Sequence, residues 1–351
     1  MEGSIQRVRA VLRGKMPDRA PMFDLIRNDA VIEYFTGRKL TIENASQVVH
    51  KAFAPAIDAT RSVRLPDKQQ TIRLPDGRWQ KLYRWTAWTE HVKYESSAAY
   101  AAAKRKMIDA YDPSWTAQDQ ANLEEYLAGS SAMQARLGEC YWMDCACGLG
   151  LMGLMGEVGV EQFCYYLADC PGIINELLEM HTVMCITWLE HLPADHGIEV
   201  VMAGDDIAFR SGPFLSPKWF EANYFPRMAR IHEVAHEKGI KVMFHSDGDL
   251  NAILEQLVEA GIDGLNPIEV LAGMDVGDIH RRHPQLFMCG GIDVSQLLPF
   301  GEPREVYDAT RRTIDAAEGR IMVGSSTELH NDVPLANFLA MRQAVLDNPY
   351  R

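Results

Sequence analysis

The chain has 351 residues and a mass of 39.5 kDa, which fits one large domain or two modest ones. Hydrophobic residues make up 47% and charged residues 24%, so the composition is that of a folded globular protein rather than a disordered or fibrous one. The formal net charge of −13 opposes binding to nucleic-acid backbones and to anionic lipid surfaces. We therefore expect no nucleic acid and no membrane among the partners.

The N-terminal sequence and the cysteines predict a cytoplasmic protein. The opening MEGSIQRVRAVLRGKMPDRA lacks the uncharged apolar core of a signal peptide, and polar residues interrupt the most apolar stretch, 180–192. Seven cysteines, an odd number, are scattered along the chain. We expect them to be reduced thiols, because disulfide frameworks belong mainly to small exported domains.

Short apolar runs alternate with helical patterns, as in a parallel sheet built from βαβ units. A long helix is predicted after Ser216, since Ser216 is a good N-cap residue and Pro217 suits the first helical turn. Eight apolar runs are candidate strands: 21–25, 59–64, 141–145, 199–203, 241–245, 264–267, 286–289 and 320–324. They predict an α/β fold, a (β/α)8 TIM barrel, with residues 1–351 as a single domain.

The segment 70–94 interrupts this alternation. It reads as two strands joined by a Pro-Asp-Gly turn at 75–77, so we predict a β-hairpin inserted after the second barrel strand. Trp79, Trp85 and Trp88 fall at odd and even offsets, so both faces of the hairpin are expected to be partly covered. These side chains either pack against the barrel wall or form an aromatic lid over a ligand.

Ionisable and polar residues follow almost every predicted strand. In a (β/α)8 barrel the active site lies at the carboxyl ends of the strands, because the βα loops converge there. The residues at these positions are Asp24, Arg27, Asp58, Arg61, Asp144, Cys145, Asp205, Asp206, His245, Asp247, Asn266, Glu269, Asp293, Thr327, Glu328 and His330. Carboxylates also cap loops, so their convergence is stronger evidence than any single residue.

His245 and Asp247 come directly after the fifth apolar run. Alternate residues of an extended segment point the same way, so these two side chains are predicted to face the site together, as metal ligands or an acid/base pair would. Asp205 and Asp206 follow the fourth strand, and adjacent side chains on such a segment point apart. At most one of them is expected to face the site, to hold a cation, orient the histidine or bind a substrate hydroxyl.

A second motif, His-Glu-Val-Ala-His at 232–236, matches the HExxH pattern of zinc proteases. It lies near the carboxyl end of the helix between strands four and five, which in a barrel faces away from the active site. Ile231, Val234 and Ala235 supply the apolar stripe of that helix, so both histidines are predicted to lie near solvent. We interpret the match as coincidental.

Five segments together resemble the uroporphyrinogen decarboxylase superfamily. They are RVRAVLRGKMPDRAPMF at the start, HSDGDL after strand five, LNPIEVLAGMDVGDI after strand six, GGID after strand seven and NDVPLANF near the end. The resemblance covers essentially the whole chain and implies a (β/α)8 barrel, in agreement with the strand count. The superfamily contains true decarboxylases and methyltransferases that exchange methyl groups with a corrinoid carried on a partner protein.

The residues after the first strand favour the methyltransferase branch. The decarboxylases carry an Arg-Gln-Ala-Gly-Arg-Tyr run there, whose arginines bind the acidic groups of the porphyrinogen. Here only Arg27 stands nearby, flanked by Asp24 and Asp29. Like charges of that kind disfavour a polyanionic tetrapyrrole.

The resemblance also implies a metal site. In coenzyme M methyltransferases of this branch, zinc is held by a His-x-Cys motif after strand five and a cysteine before the last helix, positions that correspond here to His245, Asp247 and Thr327. Thiolate ligands are missing, which disfavours thiol activation. Glu328 or His330 could complete a zinc site of N and O ligands with His245 and Asp247, and the alternative is a site without a metal.

These considerations define the predicted site. The catalytic residues are His245, Asp247, Asp206 and Glu269. The substrate-binding residues are Asp24, Arg27, Asp205, Asn266, Asp293 and Thr327.

The preferred function is that of a substrate-side methyltransferase of an O-demethylase system. It would pass the methyl group of a methoxylated aromatic to the Co(I) corrinoid of a partner protein, with His245 as general acid oriented by Asp247, or with a cation at His245, Asp247 and Glu328, assisting the ether oxygen. The alternatives are a decarboxylase that binds a carboxylate through Arg27 or Arg61, a thiol-methylating methylcobamide methyltransferase, and a non-enzymatic module that binds a corrinoid protein. The oligomeric state is left open.

Overall fold

Eight parallel strand segments close into a barrel in the computed structural model, which describes residues 2–350. The first segment, 21–23, bridges to its two neighbours through Met22 to Val323 and Phe23 to Ala59. The other segments are Ala59–Thr60, Tyr141–Trp142 continued by Asp144–Cys145, Val200–Gly204, Lys241–His245, Gly264–Ile268, Phe287–Ile292 and Ile321–Ser325. The predicted (β/α)8 barrel is confirmed.

Helices surround the barrel. Within residues 2–350 they are Ser4–Leu12, Asp29–Thr36, Ala45–Ala56, Ser97–Asp109, Ala117–Leu137, Leu151–Val158, Val160–Asp169, Pro171–Glu190, Pro217–Asn223, Phe225–Glu237, Leu254–Glu259, Val276–Arg282, Leu297–Phe300, Pro303–Ala317 and Leu335–Leu346, with a 3-10 turn at Val270–Ala272. None of these helices combines the length and the apolar character needed to cross a membrane.

The helix after Ser216 begins as predicted and is then interrupted. The Ser216 hydroxyl accepts a hydrogen bond from the Trp219 amide at 3.2 Å, and Pro217 is the first helical residue. The predicted single helix divides at Tyr224 into Pro217–Asn223 and Phe225–Glu237. Pro226 lies at this point, and proline has no N–H with which to continue the helical hydrogen-bond ladder.

Two apolar layers hold the barrel together. The inner layer fills the barrel and contains Phe23, Tyr141, Met143, Met202, Met243, Phe287, Cys289 and Met322, with Val8, Val11 and Leu12 of the first helix. The outer layer joins strands to helices and includes Val242 and Phe244. Because strand residues alternate, Met243 and His245 both face the barrel axis. The fifth strand therefore delivers His245 to the inside of the barrel mouth.

The segment after the second barrel strand forms a three-stranded antiparallel sheet, where a two-stranded hairpin was predicted. Its strands are Gln70–Arg73, Trp79–Leu82 and Ala87–Thr89. Trp79 and Trp88 are 45% and 47% exposed, so both side chains remain accessible to solvent. Trp85, in contrast, is buried and donates a hydrogen bond from Nε1 to Asp29 at 2.8 Å.

Asp58 lies at the opposite end of the barrel from the mouth. It precedes the strand Ala59–Thr60, and its carboxylate accepts hydrogen bonds from Arg7 at 2.7 Å and Arg19 at 2.8 Å and from the Met22 amide at 2.8 Å. The inclusion of Asp58 among the mouth residues was therefore wrong, because the second strand begins after it.

The HExxH histidines also lie away from the mouth, near the carboxyl end of the helix Phe225–Glu237. His232 is buried, and its Nδ1 is 2.7 Å from the Ala260 carbonyl oxygen, so the expectation that it lies near solvent was wrong. His236 is exposed and its Nε2 is 2.8 Å from an Asp263 oxygen. The two rings have different protein partners, which supports a structural interpretation of the motif.

Burial of His232 makes the stability of the fold pH-dependent. Burial lowers the pKa of His232 to about 4, below its ordinary value of 6.5. The unfolded chain therefore binds the proton first, and stability present above pH 6.5 is lost as the pH falls toward 4. Between pH 7 and pH 5 we expect wild type to lose about 2 kcal/mol more unfolding free energy than His232→Gln, as measured by urea denaturation. Equal losses in the two proteins would contradict the buried neutral state of His232.

Candidate active site

Three side chains converge at the carboxyl end of the barrel strands. One ligand atom from each of Asp206, His245 and Asp247 lies within 4.8 Å of the others. His245 ends the fifth strand, Asp247 follows two residues later, and Asp206 follows the fourth strand. The register pairs His245 with Gly204 on one side and with Asn266 on the other. Two neighbouring strands, the fourth and the fifth, thus place these groups together, as the strand-end argument predicted.

Asn266 orients the His245 ring. The Nδ1 atom of His245 is 2.7 Å from Oδ1 of Asn266, so this ring nitrogen donates the hydrogen bond. Burial, with Arg61 as the next cause, lowers the pKa of His245 and favours the neutral ring. The Nε2 lone pair then faces Oδ1 of Asp206 at 3.6 Å. A lone pair facing a carboxylate at this distance is stabilised by a proton or a cation between them.

Asp247 is held in an acidic environment. Its amide donates to Oδ1 of Asp206 at 3.1 Å, and the Thr327 hydroxyl is 3.4 Å from its Oδ1. Burial, followed by the charges of Asp206 and Glu269, raises the pKa of Asp247 to about 7. The carboxyl group therefore resists ionisation unless a positive charge joins it.

The loop after His245 depends on Glu269 and Gly248. An oxygen of Glu269 accepts a hydrogen bond from the Gly248 amide at 2.7 Å. Gly248 has a φ of +95°, and a Cβ atom there would lie 2.6 Å from the Ala208 carbonyl oxygen. Only glycine fits this position, because the loop passes close to the backbone of Ala208, a few residues after the fourth strand.

The adjacent carboxylates after the fourth strand point apart, as predicted. Asp206 joins the cluster, whereas Asp205 is buried and accepts hydrogen bonds from the Met152 amide and the Tyr224 hydroxyl, both at 2.8 Å. Burial raises the pKa of Asp205 to about 6. The structure therefore assigns Asp205 to the support of the helix Leu151–Val158, and the predicted substrate role does not fit its position.

Asp24 and Asp293 also make structural contacts. Asp24 is buried and accepts hydrogen bonds from the Ser325 amide at 3.0 Å and the Ser325 hydroxyl at 2.8 Å, which ties the first strand's end to the eighth. Burial raises the pKa of Asp24 to about 6. Asp293 accepts hydrogen bonds from the amides of Gln296 and Leu297 at 3.0 and 2.8 Å. Neither carboxylate belongs to the cluster, although both were predicted to bind substrate.

Glu328 is not part of the cluster, and this corrects the predicted metal ligand set. Its carboxylate forms an ion pair with Arg27, whose strand Ile26–Arg27 pairs with Leu329–His330. Asp206 takes the third position that was predicted for Glu328. Arg27 remains at the mouth with its charge largely balanced by Glu328, and Thr327 contacts Asp247.

The sequence placed Arg61 among the strand-end residues and gave it a role only in the decarboxylase alternative. It follows the second barrel strand, and its carbonyl oxygen is 3.9 Å from the Cys145 sulfur at the end of the third. Its Nε atom is buried and has no hydrogen-bond partner among residues 2–350. The signal available in the sequence was an arginine directly after an apolar strand.

Comparisons with known proteins assign the fold family. Residues 150–347 match the family described as uroporphyrinogen decarboxylase (URO-D), and the chain belongs to this family. It is similar to the methylated-thiol–coenzyme M methyltransferase of Methanosarcina mazei, with 24% identity over 195 residues, 54% of this chain and 49% of that protein. The match thus spans about half the length of this relative.

A solved structure described as a methyltransferase from Methanosarcina mazei has the same fold. Its TM-score is 0.68 with 14% identity, and the comparison covers 99% of both chains. At this identity the likeness concerns the fold alone. The family resemblance drawn from the sequence is confirmed, and both of these similar proteins are named as methyltransferases.

Proposed function

We propose that this protein is a methyltransferase that moves the methyl group of an aryl methyl ether to the Co(I) corrinoid of a partner protein. The observation that most strongly supports this proposal is the Asp206–His245–Asp247 cluster at the barrel mouth. The similarity to proteins named as methyltransferases supports the reaction class. The methyl carbon leaves the ether oxygen as the C–O bond breaks, and it bonds to cobalt through the electron pair of Co(I).

The oxygen keeps the electron pair of the broken bond, so this leaving group needs stabilisation. The donor set of the cluster fits a zinc ion, with Nε2 of His245 and one oxygen each of Asp206 and Asp247 as ligands. When bound there, zinc acts as a Lewis acid toward the ether oxygen. Asn266 holds the histidine ring in the orientation such a ligand requires, as outer-shell groups of metal sites do.

The hard N and O donors of the cluster favour an oxygen leaving group. Among the described residues the cluster contains no cysteine, and thiolates are the ligands that soft metal sites use. A methylated thiol is the second candidate donor, because the similar methanogen protein is named for one. A decarboxylase reaction is supported by the family name, and of the two arginines considered for its carboxylate, Arg27 already pairs with Glu328.

The assay mixes the purified protein with cob(I)alamin, as a substitute for the partner protein, and one donor at a time. We expect the cobalamin spectrum to report methylation with 4-methoxybenzoate and much less with dimethyl sulfide. If only dimethyl sulfide reacts, the methyl donor is a thioether and the proposed ether donor is wrong. Carbon dioxide release from a porphyrinogen without cobalamin would overturn the methyltransferase proposal.

A further inference from the structure

Two arginine side chains at the mouth have unsatisfied donors. Among residues 2–350, the Nε atoms of Arg27 and Arg61 are buried and lack hydrogen-bond partners. These residues follow the first and second barrel strands, which are neighbours through the bridge of Phe23 to Ala59. Buried polar groups are nearly always paired, so two such atoms on adjacent strand ends point to a ligand that accepts hydrogen bonds.

Arg61 carries the unbalanced positive charge of this region. Arg27 is paired with Glu328, and Arg64, three residues after Arg61, is paired with Asp67 at 3.0 Å. In the part of the chain that the structure describes, no carboxylate lies within 4.0 Å of the Arg61 guanidinium. The carboxylates of Asp206 and Asp247 are also beyond this distance.

The mouth therefore has two electrostatic halves. The fourth to sixth strands supply Asp206, Asp247 and Glu269, whereas the first two strands supply arginines. A ligand that spans both halves would carry an anionic group at one end and its reacting group at the other.

We propose that Arg61 binds the carboxylate of the methyl donor, so that the substrate class is a methoxylated aromatic acid. The proposal rests on the methyl-ether function proposed above. Guanidinium binds carboxylate through two parallel hydrogen bonds, which fixes a planar acid in one orientation. The buried Nε of Arg61 supplies one of these donors. An aromatic acid held this way presents its methoxy group toward the cluster.

Binding is measured by calorimetry on the purified protein without cobalamin, so that the result does not depend on methyl transfer. The probes are 4-methoxybenzoate and its neutral analogue 4-methoxybenzamide. We expect wild type to prefer the acid, and Arg61→Gln to weaken acid binding about 10- to 100-fold while leaving amide binding unchanged. Arg61→Lys keeps the charge but loses the two-point geometry, so we expect an intermediate affinity for the acid.

Arg64→Gln is the matched control, because it removes one charge nearby from an arginine that already has a partner. We expect less than about a threefold change in acid binding. Equal losses in Arg61→Gln and Arg64→Gln, or equal binding of acid and amide by wild type, would overturn the assignment. Arg61-dependent acid binding in a protein that fails the methyl-transfer assay would retain the carboxylate site and reject the proposed reaction.

Discussion

His245→Ala is expected to lose both bound zinc and methyl transfer. The variant removes the single nitrogen ligand of the cluster and leaves Asp206 and Asp247 facing each other without a neutral partner. We expect about one zinc ion per chain in wild type and none above background in the variant, measured by plasma mass spectrometry after purification without chelators. The rate of methyl transfer should fall by about 10²- to 10⁴-fold, since the ether oxygen loses its electrophilic assistance.

His236→Ala is the matched control for this experiment. His236 is an exposed histidine of the HExxH motif at the other end of the barrel, so its removal should leave zinc content and activity unchanged. If His245→Ala retained zinc and His236→Ala lost it, the metal site would be the HExxH motif instead of the cluster at the barrel mouth. If the wild-type protein were active but contained no zinc, His245 and Asp247 would be proton-transfer groups instead of metal ligands.

Asp58→Ala is expected to cause the largest loss of stability. The Asp58 side chain is 3% exposed and accepts hydrogen bonds from Ser4, Arg7, Arg19 and the Met22 amide. Removing it leaves the Arg7 guanidinium buried with only Asp18 as a charged partner. Breaking a buried ion pair in this way costs about 3–5 kcal/mol of unfolding free energy, measurable by urea denaturation at pH 7.

The sign of the pH effect at Asp58 follows from its contacts. Burial alone would raise the pKa of Asp58, but the hydrogen bond and charge of Arg19 and the other donors outweigh it, so the pKa lies below its ordinary value of 3.8. The stabilisation is therefore present above pH 4 and is lost on further acidification.

Asp76→Ala is the stability control, because Asp76 pairs with Arg78 on the exposed sheet, where solvent screens the ion pair and its contribution to the unfolding free energy is small. A similar small effect at Asp58 would show that the network at the base of the barrel does not stabilise the fold. Asp58→Ala should retain the zinc content of wild type, since it lies at the opposite end of the barrel from His245.

The barrel and the position of its mouth were predictable because they depend on local patterns. Apolar runs of strand length, separated by helical segments, specify a parallel sheet whether or not the partners of each strand are known. The same period of two that places Met243 inside the barrel places His245 there. The same period also predicted that at most one of Asp205 and Asp206 would face the site.

The partners of individual carboxylates were decided by the tertiary structure. Asp24 and Asp205 follow strands just as Asp206 and Asp247 do, yet they accept hydrogen bonds from amides and hydroxyls of segments far away along the chain. A strand-end carboxylate has the same local sequence in both cases, because the donor that it meets comes from a distant part of the chain.

The sequence by itself determined the (β/α)8 barrel through the alternation of apolar runs and helical patterns, and the family through the resemblance of five segments. It also determined the placement of His245 and Asp247 through their spacing after the fifth strand. Only the tertiary structure selected Asp206 over Glu328 as the third member of the cluster, because Glu328 meets Arg27 across the pairing of Ile26–Arg27 with Leu329–His330. It also left Arg61 without a carboxylate partner beside that pair. Both outcomes depend on which charged groups the closed barrel brings within a few ångströms of each other, and electrostatic attraction falls with distance in space rather than along the chain.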